Sequence, residues 1–153
     1  MNKLILLVFG VFSATGLQAQ ETASFNLTLN HAAISVKDVN QSAEFYRDVL
    51  KFQEITNRTK KEGIRWFSLG EGKELHLIST VKENVSLNKA VHLAFTTTNF
   101  DTFVKTIEKK NIVYFDWEGA RNKVSVRADG IRQIFFQDPD GYWIEVNSVA
   151  QQK

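Results

Sequence analysis

The feature that most constrains this chain is an internal duplication. The stretch "IRWFSLGEGKELHLI" (64–78) aligns with "IRQIFFQDPDGYWIEV" (131–146) when the second turn is two residues longer. Each copy is preceded by the same order of patterns. "LTLNHAAISV" (27–36) and "VHLAFTTT" (91–98) alternate as half-buried strands do. "DVNQSAEFYRDVL" and "NFDTFVKTIEKK" follow with apolar residues three or four apart, the period of one helical face. Asp38 and Gln41 have the spacing of a capping box at the first helix start. "FQEITNRT" (52–59), "GIRWFSLG" (63–70) and "ELHLIST" (74–80) complete the first half as strands, and "IVYFDW", "IRQIFFQ" and "YWIEVN" complete the second. The expected fold is α+β: two strand-helix-strand-strand-strand modules that bury their open faces against each other.

Composition narrows the function. With 43% hydrophobic and 24% charged residues in 153, the chain is an ordinary globular one, and its net charge of +2 is spread without a basic patch for nucleic acid. A small-molecule partner is therefore expected. The first residues differ: Lys3 followed by "LILLVFGVF" and "SATGLQAQ" reads as a cleavable signal, residues 1–19, too short to span a bilayer. The expectation is an exported protein, periplasmic or secreted, with no membrane anchor after cleavage. The remainder divides into an extension (20–27), a first module (28–80), a polar linker (81–90), a second module (91–148) and a tail (149–153). The absence of cysteine excludes disulfides and thiolate ligands. "EGARNKVSVRAD" (118–129) is a long basic connection of the kind that serves either as a binding segment or as plain surface.

Strand side chains alternate in direction, so each half sorts into faces. Ala32, Ile34 and Val36 form one face of the first strand, leaving His31, Ala33 and Ser35 on the other; Leu93 and Phe95 likewise leave His92, Ala94 and Thr96. In the last strand of each half, His76 and Glu145 point away from Leu75, Leu77, Ile144 and Val146. The three histidines of the chain and Glu145 thus fall at two pairs of equivalent positions, expected on the non-helix face of one sheet. A carboxylate in the middle of an aromatic and β-branched strand needs either water or a cation. Imidazoles with a carboxylate suit one divalent transition metal, Ni or Zn foremost and Fe or Mn also.

These residues are where the chain resembles the vicinal-oxygen-chelate superfamily, which includes glyoxalase I, bleomycin and fosfomycin resistance proteins, methylmalonyl-CoA epimerase and extradiol dioxygenases. The matching pieces are "NHAAISVKDVNQSAEFYRDVLKF", "ELHLI", "VHLAF" and "FFQDPDGYWIEVN", together spanning about residues 28 to 148. The last is the most specific, and Asp138, Pro139, Asp140 and Gly141 suit a type I turn. The resemblance implies a cupped mixed sheet with helices on its outer face, a metal held by His31, His76, His92 and Glu145, and a homodimer. His76 departs from the glutamate or glutamine usual there. Ser35 and Thr80 stand where glutathione-dependent members carry arginine and asparagine, which argues against a glutathione conjugate as substrate.

Three functions follow. The first is a glyoxalase-like lyase or isomerase (lactoylglutathione-lyase-like in scaffold) that chelates a small hydroxycarbonyl or carboxylated substrate, with Glu145 as the catalytic proton carrier. Ser35, Arg65, Trp66, Thr80, Arg121, Arg127, Arg132 and Trp143 are the candidate substrate contacts, with Trp117 a further aromatic wall. The second is an extradiol-type iron dioxygenase using His31, His92 and Glu145. The third is a resistance-type binding protein without catalysis.

Overall fold

A computed structural model describes residues 27–81 and 83–149; the signal and the end of the tail expected from the sequence lie outside the described residues. The element order is β1 (His31–Ser35), α1 (Val39–Asp48), β2 (Glu54–Ile55), β3 (Ile64–Gly70), β4 (Lys73–Ile78), β5 (His92–Thr97), α2 (Phe100–Lys109), β6 (Ser125–Val126), β7 (Arg132–Gln137) and β8 (Trp143–Ser148). The two halves form separate four-stranded mixed sheets, ordered β1-β4-β3-β2 and β5-β8-β7-β6, where the sequence suggested one sheet carrying all the site residues. In each the first strand runs parallel to the last and the others pair antiparallel.

Local chemistry sets the boundaries. Asp38 is the N-cap of α1, and its carboxylate accepts hydrogen bonds from the backbone N–H groups of Asn40 and Gln41, satisfying two donors the helix itself cannot. The strand expected over 52–59 shrinks to two residues because Asn57 closes a turn, donating to the carbonyls of Lys61 and Ile64. "IVYFDW" is not a strand. Phe115 alone bridges to Phe135, after which the chain leaves the sheet, and the edge strand β6 is supplied by residues inside the long basic connection.

One hydrophobic cluster joins both halves. It contains Ile34, Phe67, Leu75 and Leu77 of the first sheet, Ile134, Phe136, Ile144 and Val146 of the second, and Ala43, Tyr46, Phe100, Val104 and Ile107 of the helices. Phe45 and Phe103 pack on Phe136, and Phe52 meets Phe95 edge-on. The core therefore uses the helix-side face of each sheet. The faces bearing His31 and His76, and His92 and Glu145, lie outside it.

Polar docking completes the union. The turn after β7 is closed by Gly141 N–H to the Asp138 carbonyl at 3.1 Å, with Gly141 at φ 92°, a left-handed conformation that glycine adopts without strain. Asp138 Oδ1 accepts from the N–H groups of Asp140 and Tyr142, while Oδ2 accepts from the hydroxyl of fully buried Tyr46 at 2.7 Å. Asp140 accepts from the N–H of Lys37 at 2.7 Å and from Ser42 Oγ at 2.6 Å. The Tyr142 hydroxyl accepts from the N–H of Ser35 at 3.1 Å. Burial pushes the Asp138 carboxyl above the ordinary aspartate range, outweighing its hydrogen bonds, and pushes the Tyr46 phenol well above its own, where the Asp138 charge and the bond to it act in the same direction.

Tyr46→Phe removes the donor and leaves a buried carboxylate oxygen unpaired, so unfolding in urea should show a loss on the order of 1–3 kcal/mol. The pH dependence has a definite sign. Because the folded-state pKa of Asp138 is raised, its protonated form favours folding: that contribution is fully present below the unfolded value and disappears as pH rises through the folded value. Relative to Asp138→Asn, the wild type should lose stability across this window. Urea midpoints measured for both proteins from acid to neutral pH would check it, and parallel curves would contradict the assignment.

Candidate functional site

On the second sheet, β5 and β8 are parallel neighbours with Ala94 opposite Glu145. This register brings His92 Nε2 to 3.2 Å from Glu145 Oε2. The other ring nitrogen, Nδ1, lies 2.9 Å from the carbonyl oxygen of Lys89. A carbonyl can only accept, so Nδ1 carries a proton and Nε2 is the nitrogen left to face the carboxylate. Two electron-rich atoms at that distance call for a positive charge between them, either a proton or a metal ion. Two ligands on a small transition-metal ion with bonds of ~2.1 Å sit about this far apart, so the pair fits such an ion.

Glu145, only 7% exposed, is held in one orientation. Its Oε1 accepts from Asn147 Nδ2 at 2.9 Å, and Asn147 Oδ1 accepts from Thr96 Oγ1 at 2.7 Å. That relay occupies Oε1 and leaves Oε2 for chemistry. Strand alternation puts Thr96 on the face of His92 and Asn147 on that of Glu145, but it does not show that the two bond to each other and hold the carboxylate. Their signal is the parallel register, which sets them directly opposite each other.

The first sheet carries a stack of planar groups. His31 and His76 lie face to face at 4.4 Å, His76 lies on Trp66 at 4.0 Å, and the Arg58 guanidinium lies over the Trp66 ring at 4.5 Å. Trp66 and His76 are cross-strand partners, which fixes the order. Glu74 clamps the column, bonding His76 Nε2 at 2.8 Å and Arg58 at 2.8 and 3.0 Å. These bonds, that from His76 foremost, hold the Glu74 carboxyl below the usual range. His31 Nδ1 meets Asn30 Oδ1 at 2.7 Å and so, like His92, keeps Nε2 free. His76 has committed its Nε2 to Glu74.

The four expected metal-binding residues therefore fall into two pairs on two sheets, and one copy of the chain does not bring them together. Among the described residues no three His, Asp or Glu side chains gather around one point. The reason is the core, which joins the halves through the opposite faces of their sheets.

The candidate substrate contacts separate as well. Trp143 shares the open face of β8 with Glu145, and Arg121 is exposed beside the loop that leaves Phe115. Trp66 is no wall for a substrate, since both its faces are covered by Arg58 and His76. Arg65 is taken by Glu54 and Asn40, Arg127 by Asp129, and Arg132 by Asp101 on α2. Ser35 is engaged by Tyr142 and the Val81 carbonyl, and Thr80 lies beyond β4 with its methyl beside Gly63. Trp117, 49% exposed, packs edge-on against Phe135, which lies under His92.

Known proteins share this plan. The chain is 27% identical over 127 residues to metallothiol transferase FosB of Staphylococcus saprophyticus, covering 79% of this chain and 76% of that one. It is 28% identical over 127 residues to glyoxylase I 4 of Arabidopsis thaliana, covering 78% and 69%. Among solved structures, a glyoxalase family protein from Bacillus anthracis superposes with a TM-score of 0.66 at 23% identity, covering 83% of this chain and 98% of the other. Residues 28–146 match the pattern of a single family, and on that match the chain belongs to the Glyoxalase/Bleomycin resistance protein/Dioxygenase superfamily.

Proposed function

We propose that the protein is a metal-dependent, glyoxalase-like enzyme of the lyase or isomerase class, acting on a small hydroxycarbonyl or carboxylated substrate. The observation that carries this reading is the shared arrangement of His31 and His92: each donates Nδ1–H to an oxygen and leaves Nε2 as the nitrogen available to a metal. His31, His92 and Glu145 would hold the ion, and His76, spent on Glu74, would fix the plane of His31 by stacking. Bound there, a divalent transition metal supplies Lewis-acid polarisation of vicinal substrate oxygens.

The remaining work belongs to the chain. Glu145, loosened from the ion, would take a proton through Oε2 from the hydroxyl-bearing carbon beside the carbonyl and return it to the carbonyl carbon while the hydroxyl proton passes to the carbonyl oxygen, so no oxidant or reductant is consumed. Asn147 and Thr96 keep Oε1 occupied so that the same oxygen serves in both directions. Phe135, edge-on to His92, and Trp143, the cross-strand partner of His92, would form the apolar lining of this face. Completing the ligand set needs a second copy, whose His31 would meet His92 and Glu145 of the first; a homodimer with two shared sites is thus part of the proposal. Export through residues 1–19 is also part of it and would place the enzyme outside the cytoplasm.

One observation favours a second reading. With His76 withdrawn, two histidines and one carboxylate remain, the set used by oxygen-activating non-haem iron. Metal content of the purified protein separates the two: Ni or Zn supports proton transfer, and Fe with oxygen uptake on a catechol supports oxygenation. In either case His31→Ala with His92→Ala should abolish stoichiometric metal, and an undiminished content would refute the ligand assignment.

Glu145→Gln should slow exchange of solvent deuterium into hydroxyacetone by on the order of 10²–10⁴-fold, as read by NMR. Mixing inactive His31→Ala and Glu145→Gln chains should restore about a quarter of wild-type activity, since half the dimers are mixed and each has one intact site. No recovery would mean that the sites do not form between chains.

A further inference from the structure

Lys89, the next-to-last residue of the linker, has an unusual environment for a lysine. Its ammonium donates to the carbonyl oxygens of Asp116 at 2.9 Å and Trp117 at 3.0 Å. It lies 4.9 Å from the ring centre of Trp143, 5.7 Å from Phe135 and 5.9 Å from Phe115. Carbonyl dipoles and aromatic faces thus hold the charge where surface lysines ordinarily use a carboxylate or water. The receiving loop is itself fixed: fully buried Asp116 accepts from the Ala120 N–H at 2.7 Å and faces Lys123 at 2.9 Å, so the two carbonyls are held in place.

The same residue touches the site through its backbone. The Lys89 carbonyl is the acceptor that keeps the proton on His92 Nδ1. Phe135 and Trp143, the walls around the ammonium, are also neighbours of the pair: Phe135 is the cross-strand partner of Glu145 and meets the His92 ring edge-on at 5.6 Å. A side-chain anchor, a backbone acceptor and the imidazole it orients therefore form one connected unit.

We infer that Lys89 is the positioning residue of the His92–Glu145 pair. Anchored by its ammonium, it holds its own carbonyl where His92 must donate from Nδ1, and so keeps Nε2 turned toward Glu145. The inference deepens the proposed function, on which its metal-related consequence rests, while the tautomer itself is a property of the protein without metal. It also assigns work to the linker, which ties the 115–117 loop to the start of β5.

The test compares wild type with Lys89→Met, which keeps the stem and loses the charge and donors, and with Lys89→Arg, which keeps both. Side-chain nitrogen NMR of the metal-free full chain at about pH 9, where an ordinary imidazole is neutral, reads each tautomer. His31, on the other sheet and bonded to Asn30, is the internal control. In Lys89→Met, the proton on His92 Nδ1 should be partly lost while that on His31 is unchanged, and Lys89→Arg should retain the wild-type signal. Zinc affinity should fall by roughly 10–100-fold in the Met variant and recover in the Arg variant. An unchanged His92 tautomer in Lys89→Met would overturn the inference, as would an equal change at His31. If Lys89→Met does not fold, Lys89→Gln replaces it with the same expected and contrary outcomes. A tautomer shift in a protein that binds no zinc in any form would leave the positioning role standing and remove the metal reading.

Discussion

The docking of the Asp138–Gly141 turn onto α1 is the interaction on which the rest of the structure depends. It links the last turn of the second module to the first helix through Tyr46, Ser42 and the backbone of Lys37, beside the contact of Phe45 with Phe136. An aspartate buried at this junction costs solvation, and the structure offsets that cost with three donors on one carboxylate. The benefit is directional. An apolar interface of the same area would tolerate sliding, whereas Asp138 and Asp140 each meet their partners in only one arrangement. The relative placement of the sheets is thereby set, and with it the fact that both site-bearing faces stay outside the core.

Much of this was legible in the sequence, for reasons that are local. Strand alternation separates His31 from Ile34 and Glu145 from Ile144 without knowledge of tertiary structure, because the period of two is a property of the extended backbone. The turn was legible because Pro139 and Gly141 each have a conformational preference strong enough to act alone. What failed to show was whatever depends on pairing. "IVYFDW" has strand composition, yet only Phe115 finds a partner, and the edge position went to Ser125–Val126, whose own sequence advertises nothing. Arg65 looked available for an anion because its partner Glu54 lies across a strand pair, eleven residues back. The commitment of His76 depends on Trp66 lying opposite it, a fact of register, and on Glu74 two residues before it on the same face.

The two halves show how a duplication can diverge while keeping its geometry. Both place a histidine near the start of the first strand and a polar group on the last. In the first half the last-strand position has become a stacked, hydrogen-bonded imidazole enclosed between two rings. In the second it is a carboxylate with one oxygen tethered and the other directed at a histidine. In the proposed enzyme the first half would contribute rigidity around one donor, and the second a donor and a proton carrier. Catalysis by positioned groups gains most when they need not reorganise during the reaction, and each half fixes its histidine by a different device, Asn30 in one and Lys89 in the other.

That difference in device has a physical consequence. Asn30 is the immediate neighbour of His31, so its hold is local and survives any motion of the rest of the chain. Lys89 reaches across to a loop more than twenty residues away, so the orientation of His92 is coupled to the 115–121 excursion and to the burial of Asp116. Motion of that loop would loosen His92 while leaving His31 in place. The second sheet, which carries the carboxylate, is thus the half whose preparation depends on tertiary structure, and its rigidity rests on a lysine enclosed by three aromatic rings.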